Sequence, residues 1–184
     1  ENYSPAGKSG RMYFSVENAM KIDFIRITIE EWKKLQQITD REFYYLLACL
    51  LESVSKVANI AGVYGAYLKK WDPRAIKQMK YIELDPSDES ISINEVYNKK
   101  LEDIIMDIDC DILYLDPPYT KNQYSVQYHL LETIARYDNP EIKGITGSRV
   151  SKGTTSDWSV PGKVEILFDR IISKTKAKHI ILSY

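Results

Sequence analysis

The stretch Asp111-Ile112-Leu113-Tyr114-Leu115-Asp116-Pro117-Pro118-Tyr119 decides how the rest of the sequence is interpreted. Its short apolar run, bounded by a turn signal, predicts a strand that is buried on both faces of a parallel sheet. Pro117 and Pro118 have a fixed φ and no N–H to donate, so strand pairing is expected to end there. In open α/β sheets, ligands bind beyond the carboxyl ends of the strands, where Asp116 and Tyr119 would lie. A simple strand end with an acidic turn residue is the alternative, and these residues alone do not separate the two.

The composition fits one domain, or a core with a smaller lobe. The chain has 184 residues, of which 44% are hydrophobic and 28% charged, and its net charge is -1. Such values are typical of soluble globular proteins. No apolar run is long enough to span a membrane, and residues 1–10 lack the apolar core of a signal peptide. Cys49 and Cys110 do not suggest a disulfide framework, so we expect a cytoplasmic protein.

Two helices are predicted in the N-terminal half. Apolar residues recur at helical spacing over residues 16–32, which would leave Arg26 largely outside. Thr39-Asp40-Arg41-Glu42 is a capping box, and it opens an apolar stripe that predicts a helix continuing to residue 61. Gly62 and Gly65 would end that helix.

After Pro86 the pattern changes to alternating strands and helices. Strands are predicted at residues 91–97, 111–115 and 177–184, helices at 100–106, 124–137 and 164–173, and a long loop at 143–162. Alternation of this kind indicates a parallel sheet with right-handed crossovers. We therefore expect an α/β fold, with residues 1–85 as a mainly helical lobe and residues 86–184 as part of an α/β domain. Because the last strand has no covering element after it, we expect a fragment of a larger protein.

Cations and aromatic rings alternate in residues 64–74, and further cations lie in residues 143–162. Rings can stack on bases while cations contact phosphates. The pattern predicts nucleic-acid contacts through a set of basic residues. These are Lys69, Lys70, Arg74, Lys143, Arg149 and Lys152. Rings packed on a helix, with solvated lysines beside them, would give the same pattern, and the sequence leaves both interpretations open.

The acid-proline-proline-aromatic corner has a chemistry suited to an aryl amine. The Asp116 carboxylate and the Pro117 carbonyl are two acceptors that can receive both hydrogens of one amino group. They would localise the nitrogen lone pair and stabilise the positive charge that develops as nitrogen attacks a methyl group. Tyr119 offers a face on which a planar base can stack. Such contacts require the base to lie outside a duplex.

This corner resembles the Asp-Pro-Pro-Tyr motif of the amino-group DNA methyltransferases, specifically the adenine-specific branch associated with bacterial restriction-modification systems. Further segments resemble blocks of the same family. They are residues 11–18, 21–23, 42–47, 64–69, 144–149, 156–159 and 181–184. The resemblance implies a partial Rossmann-like sheet of an S-adenosylmethionine-dependent methyltransferase with a helical insertion lobe, which is the candidate for DNA recognition.

The same resemblance implies the site and its partners. Asp116, Pro117, Pro118 and Tyr119 would be catalytic, and Asp116 would also face the methyl group of the cofactor, S-adenosylmethionine. The target would be a flipped adenine in double-stranded DNA, and a restriction endonuclease would act in the same system. An RNA adenine methyltransferase and a non-catalytic nucleic-acid-binding module are the alternatives.

The sequence departs from the family pattern in two places. None of its eight glycines forms the Phe-x-Gly-x-Gly loop that approaches the cofactor, so we expect that loop upstream and weak cofactor binding by this chain. Asn98-Lys99-Lys100 stands where the family commonly has an acid, which removes one expected cofactor contact. No cluster has the spacing of metal ligands. His129 and His179 are given no catalytic role.

Overall fold

A computed structural model describes residues 2–85, 94–118, 123–150 and 156–183. Two compact units are present, one made of Glu1–Asp88 with Ser125–Lys152 and the other of Glu89–Tyr124 with Gly153–Tyr184. The elements in chain order are α1 (Val16–Lys34), α2 (Asp40–Lys56), α3 (Leu101–Ile104), β1 (Ile112–Leu115), α4 (Tyr124–Gln127), α5 (His129–Arg136), β2 (Ile142–Lys143), β3 (Ser148–Arg149), a 3₁₀ helix (Asp157–Ser159), α6 (Val164–Lys174) and β4 (His179–Leu182). None of these described helices is long and apolar enough to cross a membrane.

The first unit is built on α1 and α2, and both begin with a side-chain cap, of which the capping box of α2 was predicted. The Ser15 side chain accepts the N–H of Asn18, and Thr39 and Glu42 form the reciprocal capping box. The packed face of the unit includes Tyr13, Ile22, Ile29, Leu50, Val54, Met79 and Leu130. The two helices predicted in this half of the chain are therefore confirmed.

The end of α2 differs from the prediction. The helix ends at Lys56 instead of residue 61, although Val57 and Ala58 are still buried. The chain turns because Asn59, which is fully buried, donates its side-chain amide to the carbonyls of Met12 and Leu68. Val57 and Ala58 are thus buried in a loop that Asn59 stabilises. The apolar stripe continues into this loop, which is why it predicted too long a helix.

Arg26 is a second correction, because it lies inside the first unit with 3% of its surface exposed. Its Nε donates to the carbonyl of Ile134 at 2.8 Å, and it also pairs with Glu30 at 2.9 Å. The last carbonyls of a helix lack partners within it, and a cation can satisfy them. Arg26 therefore caps the C-terminus of α5.

Residues 125–152 belong to the same compact unit as the N-terminal part of the chain. We had expected all of residues 86–184 to form the second domain. The predicted helix 124–137 is divided at Tyr128, where the backbone leaves helical geometry. The carbonyl of Gln127 instead accepts the N–H of Tyr64 at 2.7 Å. The segment predicted as a loop at 143–162 includes strand residues, because β2 and β3 pair antiparallel around Gly144 and Gly147.

The second unit is organised by the parallel pairing of β1 with β4, in which Ile112 lies opposite His179 and Leu115 opposite Leu182. This parallel pairing confirms that part of the α/β prediction. Residues 91–93 of the predicted strand at 91–97 lie outside the described residues, and residues 94–97 are not in a strand. The Rossmann-like order of a larger sheet stays a prediction.

The prediction that β1 is buried on both faces was wrong for the described part of the chain. Leu113 and Leu115 are 8% and 4% exposed, whereas Ile112 and Tyr114 on the opposite face are 56% and 59% exposed. The buried face belongs to a cluster completed by Ile105, Trp158, Leu167 and Ile171. The apolar run was interpreted as two buried faces because periodicity alone does not show how many faces are covered.

Candidate active site

The corner Asp116-Pro117-Pro118 lies directly beyond the carboxyl end of β1. Because β1 and β4 are parallel, the ends of both strands meet at one edge, where the N–H of Ser183 donates to the carbonyl of Leu115 at 2.9 Å. Asp116 is exposed at this edge, and both prolines are half-buried. Tyr119 lies outside the described residues. Asp116 therefore lies beyond the carboxyl end of a parallel strand, as expected, and its role in binding a ligand stays a prediction.

A short segment of the same unit contacts the corner. The Ser159 hydroxyl donates to the carbonyl of Pro118 at 3.4 Å, and the N–H of Ser156 donates to the Gln123 side chain at 2.8 Å. The family resemblance included residues 156–159 without giving them a role. Ser159 and Pro118 are 41 residues apart, so no local pattern could predict their contact. The family resemblance was the only feature of the sequence that marked residues 156–159.

Trp158 anchors that segment in the core of the second unit. Its side chain is buried, and its ring meets Phe168 on α6 edge to face at 5.0 Å between centroids. Asp157 pairs with Lys163 at 2.8 Å, and this hydrogen bond lowers the pKa of the Asp157 carboxyl. The 3₁₀ helix is thus fixed by an apolar contact on one side and an ion pair on the other.

The described residues that we predicted to contact nucleic acid lie in two places in the first unit, the loop after α2 and the pair of strands β2 and β3. Lys69 and Lys70 are exposed in the loop after α2, and Lys143 is exposed on β2. Arg74, in the same loop, forms an ion pair with Asp72 at 3.1 Å. Lys152 lies outside the described residues.

Arg149 occupies a more enclosed position. Its side chain is 8% exposed, and both terminal nitrogens donate to the carboxylate of Asp138, at 2.8 and 2.6 Å. This pairing lowers the pKa of Asp138. Arg149 is already neutralised by a protein carboxylate, so we do not assign it a phosphate in the surface proposed below.

Tyr64 packs inside the first unit and is not available to stack on a base. It is 3% exposed, and its hydroxyl lies 3.1 Å from that of Ser55 on α2. Desolvation by burial raises its pKa. Tyr67 packs edge to face on Tyr13 at 5.1 Å between centroids. These two rings belong to the packing of the unit, as in the alternative that placed the rings on a helix.

His129 is fully buried in the same unit. Its Nε2 lies 3.0 Å from the carbonyl of Tyr64, which can only accept, so the ring carries its proton on Nε2. Its Nδ1 has no hydrogen-bond partner in the described part of the chain. Desolvation by burial lowers the pKa of His129, favouring the neutral ring. The core placement that the sequence allowed for this histidine is confirmed.

Two segments that carried the family resemblance meet at Arg11. Its guanidinium is 8% exposed and donates to the carbonyls of Ile145 at 2.8 Å, Gly144 at 3.0 Å and Asn2 at 2.9 Å. Gly147 lies against the same group, since a Cβ built there would be 2.8 Å from Arg11 Nε. Arg11 therefore holds the turn between β2 and β3. It joins two segments that are distant in the sequence but in contact in the fold.

Comparison with known proteins gives the family. The profile of the D12 class N6 adenine-specific DNA methyltransferases matches residues 6–184. The chain belongs to this family. The resemblance seen in the sequence is thereby confirmed, and the motif at the edge of β1 is placed in a D12 chain.

Relatives of this D12 chain are modification enzymes. It is similar to the type II methyltransferase M.FokI of Planomicrobium okeanokoites, with 47% identity over all of this chain and 28% of the relative. It is also similar to the modification methylase LlaI of Lactococcus lactis subsp. lactis, with 44% identity over all of this chain and 29% of the relative. Type II methyltransferase M.NlaIII of Neisseria lactamica is 42% identical, again over all of this chain, and 54% of its length is covered. No solved structure matches the chain.

Membership in the D12 family implies a methyl donor of the S-adenosylmethionine type. Asp116 is exposed beyond the carboxyl ends of the parallel strands β1 and β4, the edge where open α/β sheets commonly bind ligands. The eight glycines do not supply the family's Phe-x-Gly-x-Gly loop. No group of three or more His, Cys, Asp or Glu side chains in the described ranges is placed to hold a metal.

Proposed function

We propose that this chain supplies the catalytic corner of a DNA methyltransferase. The enzyme transfers a methyl group from S-adenosylmethionine to the exocyclic N6 of adenine in duplex DNA. The observation that carries this proposal is the Asp116-Pro117-Pro118 corner at the exposed carboxyl edge of a parallel strand pair, in a chain of the D12 family. Tyr119 completes the motif.

The residues of the corner act on the amino group of the target base. The Asp116 carboxylate and the Pro117 carbonyl accept the two N6 hydrogens and keep the nitrogen lone pair directed at the methyl carbon. When bound, the donor supplies an electrophilic methyl group on a positively charged sulfur. Transfer would form one N–C bond, and the electron pair of the donor's C–S bond would stay with sulfur. Asp116 stabilises the charge that develops on N6 and accepts its proton.

Tyr119 and the rigid corner position the base. An aromatic ring can stack on a planar base, and the two prolines hold the carbonyl acceptor at a fixed angle to the carboxylate. Because an adenine inside a duplex is stacked and its amine is paired, the base must leave the helix to reach these groups. The amino group of the flipped base can then donate to the two acceptors of the corner.

The relatives support a place in a restriction-modification system. They are type II methyltransferases and modification methylases. A restriction endonuclease that recognises the same DNA sequence is the proposed functional partner. We place the enzyme in the cytoplasm with the DNA that it modifies.

The choice of polymer is tested by competition. The full-length protein is incubated with radiolabelled S-adenosylmethionine and a genomic DNA duplex, with structured RNA of the same nucleotide concentration as competitor. We expect label in the DNA at an undiminished rate and none in the RNA, since the family acts on DNA. Label in the RNA alone would replace this proposal by the RNA alternative.

Three exposed lysines, Lys69, Lys70 and Lys143, form the proposed phosphate contacts. Each phosphate that a lysine neutralises releases counterions, which makes affinity depend on salt with a slope of about 0.9 per contact. Changing all three to glutamine should therefore reduce the slope of log affinity against log salt by about 2 to 3. Fluorescence anisotropy with a labelled duplex over a salt series measures this slope.

Lys56 provides the matched control for that experiment. It is an exposed lysine of the same unit, but it is already paired with Glu52 at 2.6 Å. Lys56→Gln should leave the slope unchanged. If the triple variant and Lys56→Gln give the same slope as the wild type, the three lysines do not contact phosphates.

A further inference from the structure

Helix α1 is apolar on two sides. One side is buried in the first unit through Ile22 and Ile29. The other side carries large apolar side chains that are 41% to 70% exposed. These residues, which we call the α1 stripe, are Met20, Phe24, Ile27, Trp32 and Leu35. A helix that is apolar on all sides is normally buried. Within the described part of the chain, nothing covers the α1 stripe to that extent.

A groove of about 430 Å³ lies beside the α1 stripe. Its lining consists of Phe24, Ile25, Thr28, Ile29, Trp32, Leu46 and Tyr81. The two hydroxyl groups among these side chains are already bonded within the unit. Tyr81 donates to the carbonyl of Leu46 at 2.8 Å, and Thr28 donates to that of Phe24 at 2.8 Å. The groove therefore offers apolar contacts, which suit the apolar face of another helix.

The charges on α1 do not favour DNA as the partner of this surface. The helix carries equal numbers of acidic and basic side chains, namely Glu17, Asp23, Glu30 and Glu31 against Lys21, Arg26, Lys33 and Lys34. Arg26 is buried and paired with Glu30. Lys33 is paired with Asp40. A phosphate-binding surface needs an excess of available cations, so we expect a protein surface as the partner.

The full-length polypeptide is the source of that partner. The chain spans 28% of M.FokI and 54% of M.NlaIII, so these relatives contain much additional polypeptide. Asn2 and Asp23 line one cavity of the first unit. On the surface of α1, Asp23 is flanked by Met20 and Ile27, three residues before it and four after it. A segment that leads into Asn2 would therefore run next to the α1 stripe.

We propose that the α1 stripe and its groove are the docking site of an amphipathic helix from the polypeptide segment that precedes residue 1 in the full-length protein. The stripe extends about 22 Å along α1 at a rise of about 1.5 Å per residue, so a partner helix of about 15 residues covers it. Apolar side chains at helical spacing on that partner fill the groove. Removal of the stripe from water stabilises the docked arrangement.

Cysteine labelling of the full-length protein under native conditions tests whether the stripe is covered. Phe24→Cys should react with a maleimide about a hundredfold more slowly than Ile76→Cys, because its thiol is reached only when the docked helix opens. Ile76 is the control, since it is 62% exposed in the loop after α2 and does not line the groove. Thr28→Cys, a smaller change within the groove, should be protected as well. Mass spectrometry of the labelled peptides assigns each rate to its thiol.

Photo-crosslinking identifies the segment that covers the stripe. The full-length protein with p-benzoylphenylalanine at position 24 should form a cross-link to a peptide that precedes residue 1 of the same polypeptide. The same group at position 76 should not form that cross-link. A cross-link to a second copy, to a peptide after residue 184, or only within residues 1–184 would overturn the proposal. Equal labelling rates at positions 24, 28 and 76 would also overturn it. These readouts do not require methyl transfer, so their failure leaves the proposed function intact.

Discussion

Replacing Asp116 with alanine in the full-length protein is expected to lower kcat for methylation of duplex DNA by about a thousandfold. The carboxylate is the charged acceptor of the corner, and loss of one preorganised group that stabilises developing charge lowers rates by about 10² to 10³. Binding of S-adenosylmethionine should change little, because the carboxylate acts on the amine that attacks the methyl group. Single-turnover methylation and calorimetric titration of the donor measure the two quantities separately.

Asp111 is the matched control for this variant. It precedes the same strand at its opposite end, is 78% exposed at the side chain, and pairs with Lys178 at 2.6 Å. Exposed ion pairs contribute little to stability, so Asp111→Ala should retain the wild-type rate and fold. A normal rate in Asp116→Ala would remove the corner from the mechanism, and an equal loss in both variants would point to disruption of β1.

Changing Gly147 to alanine is expected to lower the free energy of unfolding by about 2 to 4 kcal/mol. Gly147 has a φ of +70°, which L residues adopt at a cost of about 1 to 2 kcal/mol. The added Cβ would also lie 2.8 Å from Nε and 2.9 Å from Cζ of Arg11. The guanidinium cannot move aside without losing its hydrogen bonds to three carbonyls. Chemical denaturation measures the change.

Gly144 allows the steric contact to be separated from backbone strain. It has the same φ of +70°, but a Cβ there would meet nothing within 4 Å. Gly144→Ala should therefore lose only about 1 to 2 kcal/mol. Equal losses in the two variants would show that Arg11 yields to the methyl group. Removing the guanidinium with Arg11→Ala should abolish the difference between the two glycine positions.

Features that depend on local sequence were predicted well. The capping box from Thr39 to Glu42 satisfies helix donors within four residues, so its sequence is sufficient to define the start of α2. The strand ending at Asp116 was predicted because two prolines cannot continue a ladder, whatever surrounds them. Its parallel partner at residues 179–182 followed from the alternation of strands and helices.

Features that depend on distant partners were not predicted. Arg26 is 108 residues from the carbonyl of Ile134 that its Nε contacts, and no spacing in the sequence marks a buried arginine. The unit formed by residues 1–88 and 125–152 arises because Leu130 and His129 are buried with Tyr13 and Tyr64. Ser159 is separated from Pro118 by 41 residues. Tertiary contacts decide which faces are covered, and periodicity does not contain that information.

The proposed function assigns to the corner at Asp116 the transfer of a methyl group to the exocyclic amine of adenine. Its most direct test is nucleoside analysis by mass spectrometry of unmethylated DNA treated with the full-length protein and S-adenosylmethionine. We predict that N6-methyldeoxyadenosine accumulates with wild-type protein and forms about a thousandfold more slowly with Asp116→Ala. Methyl groups on cytosine would exclude adenine as the target, and N6-methyldeoxyadenosine formed equally by both proteins would exclude a role of Asp116 in the transfer.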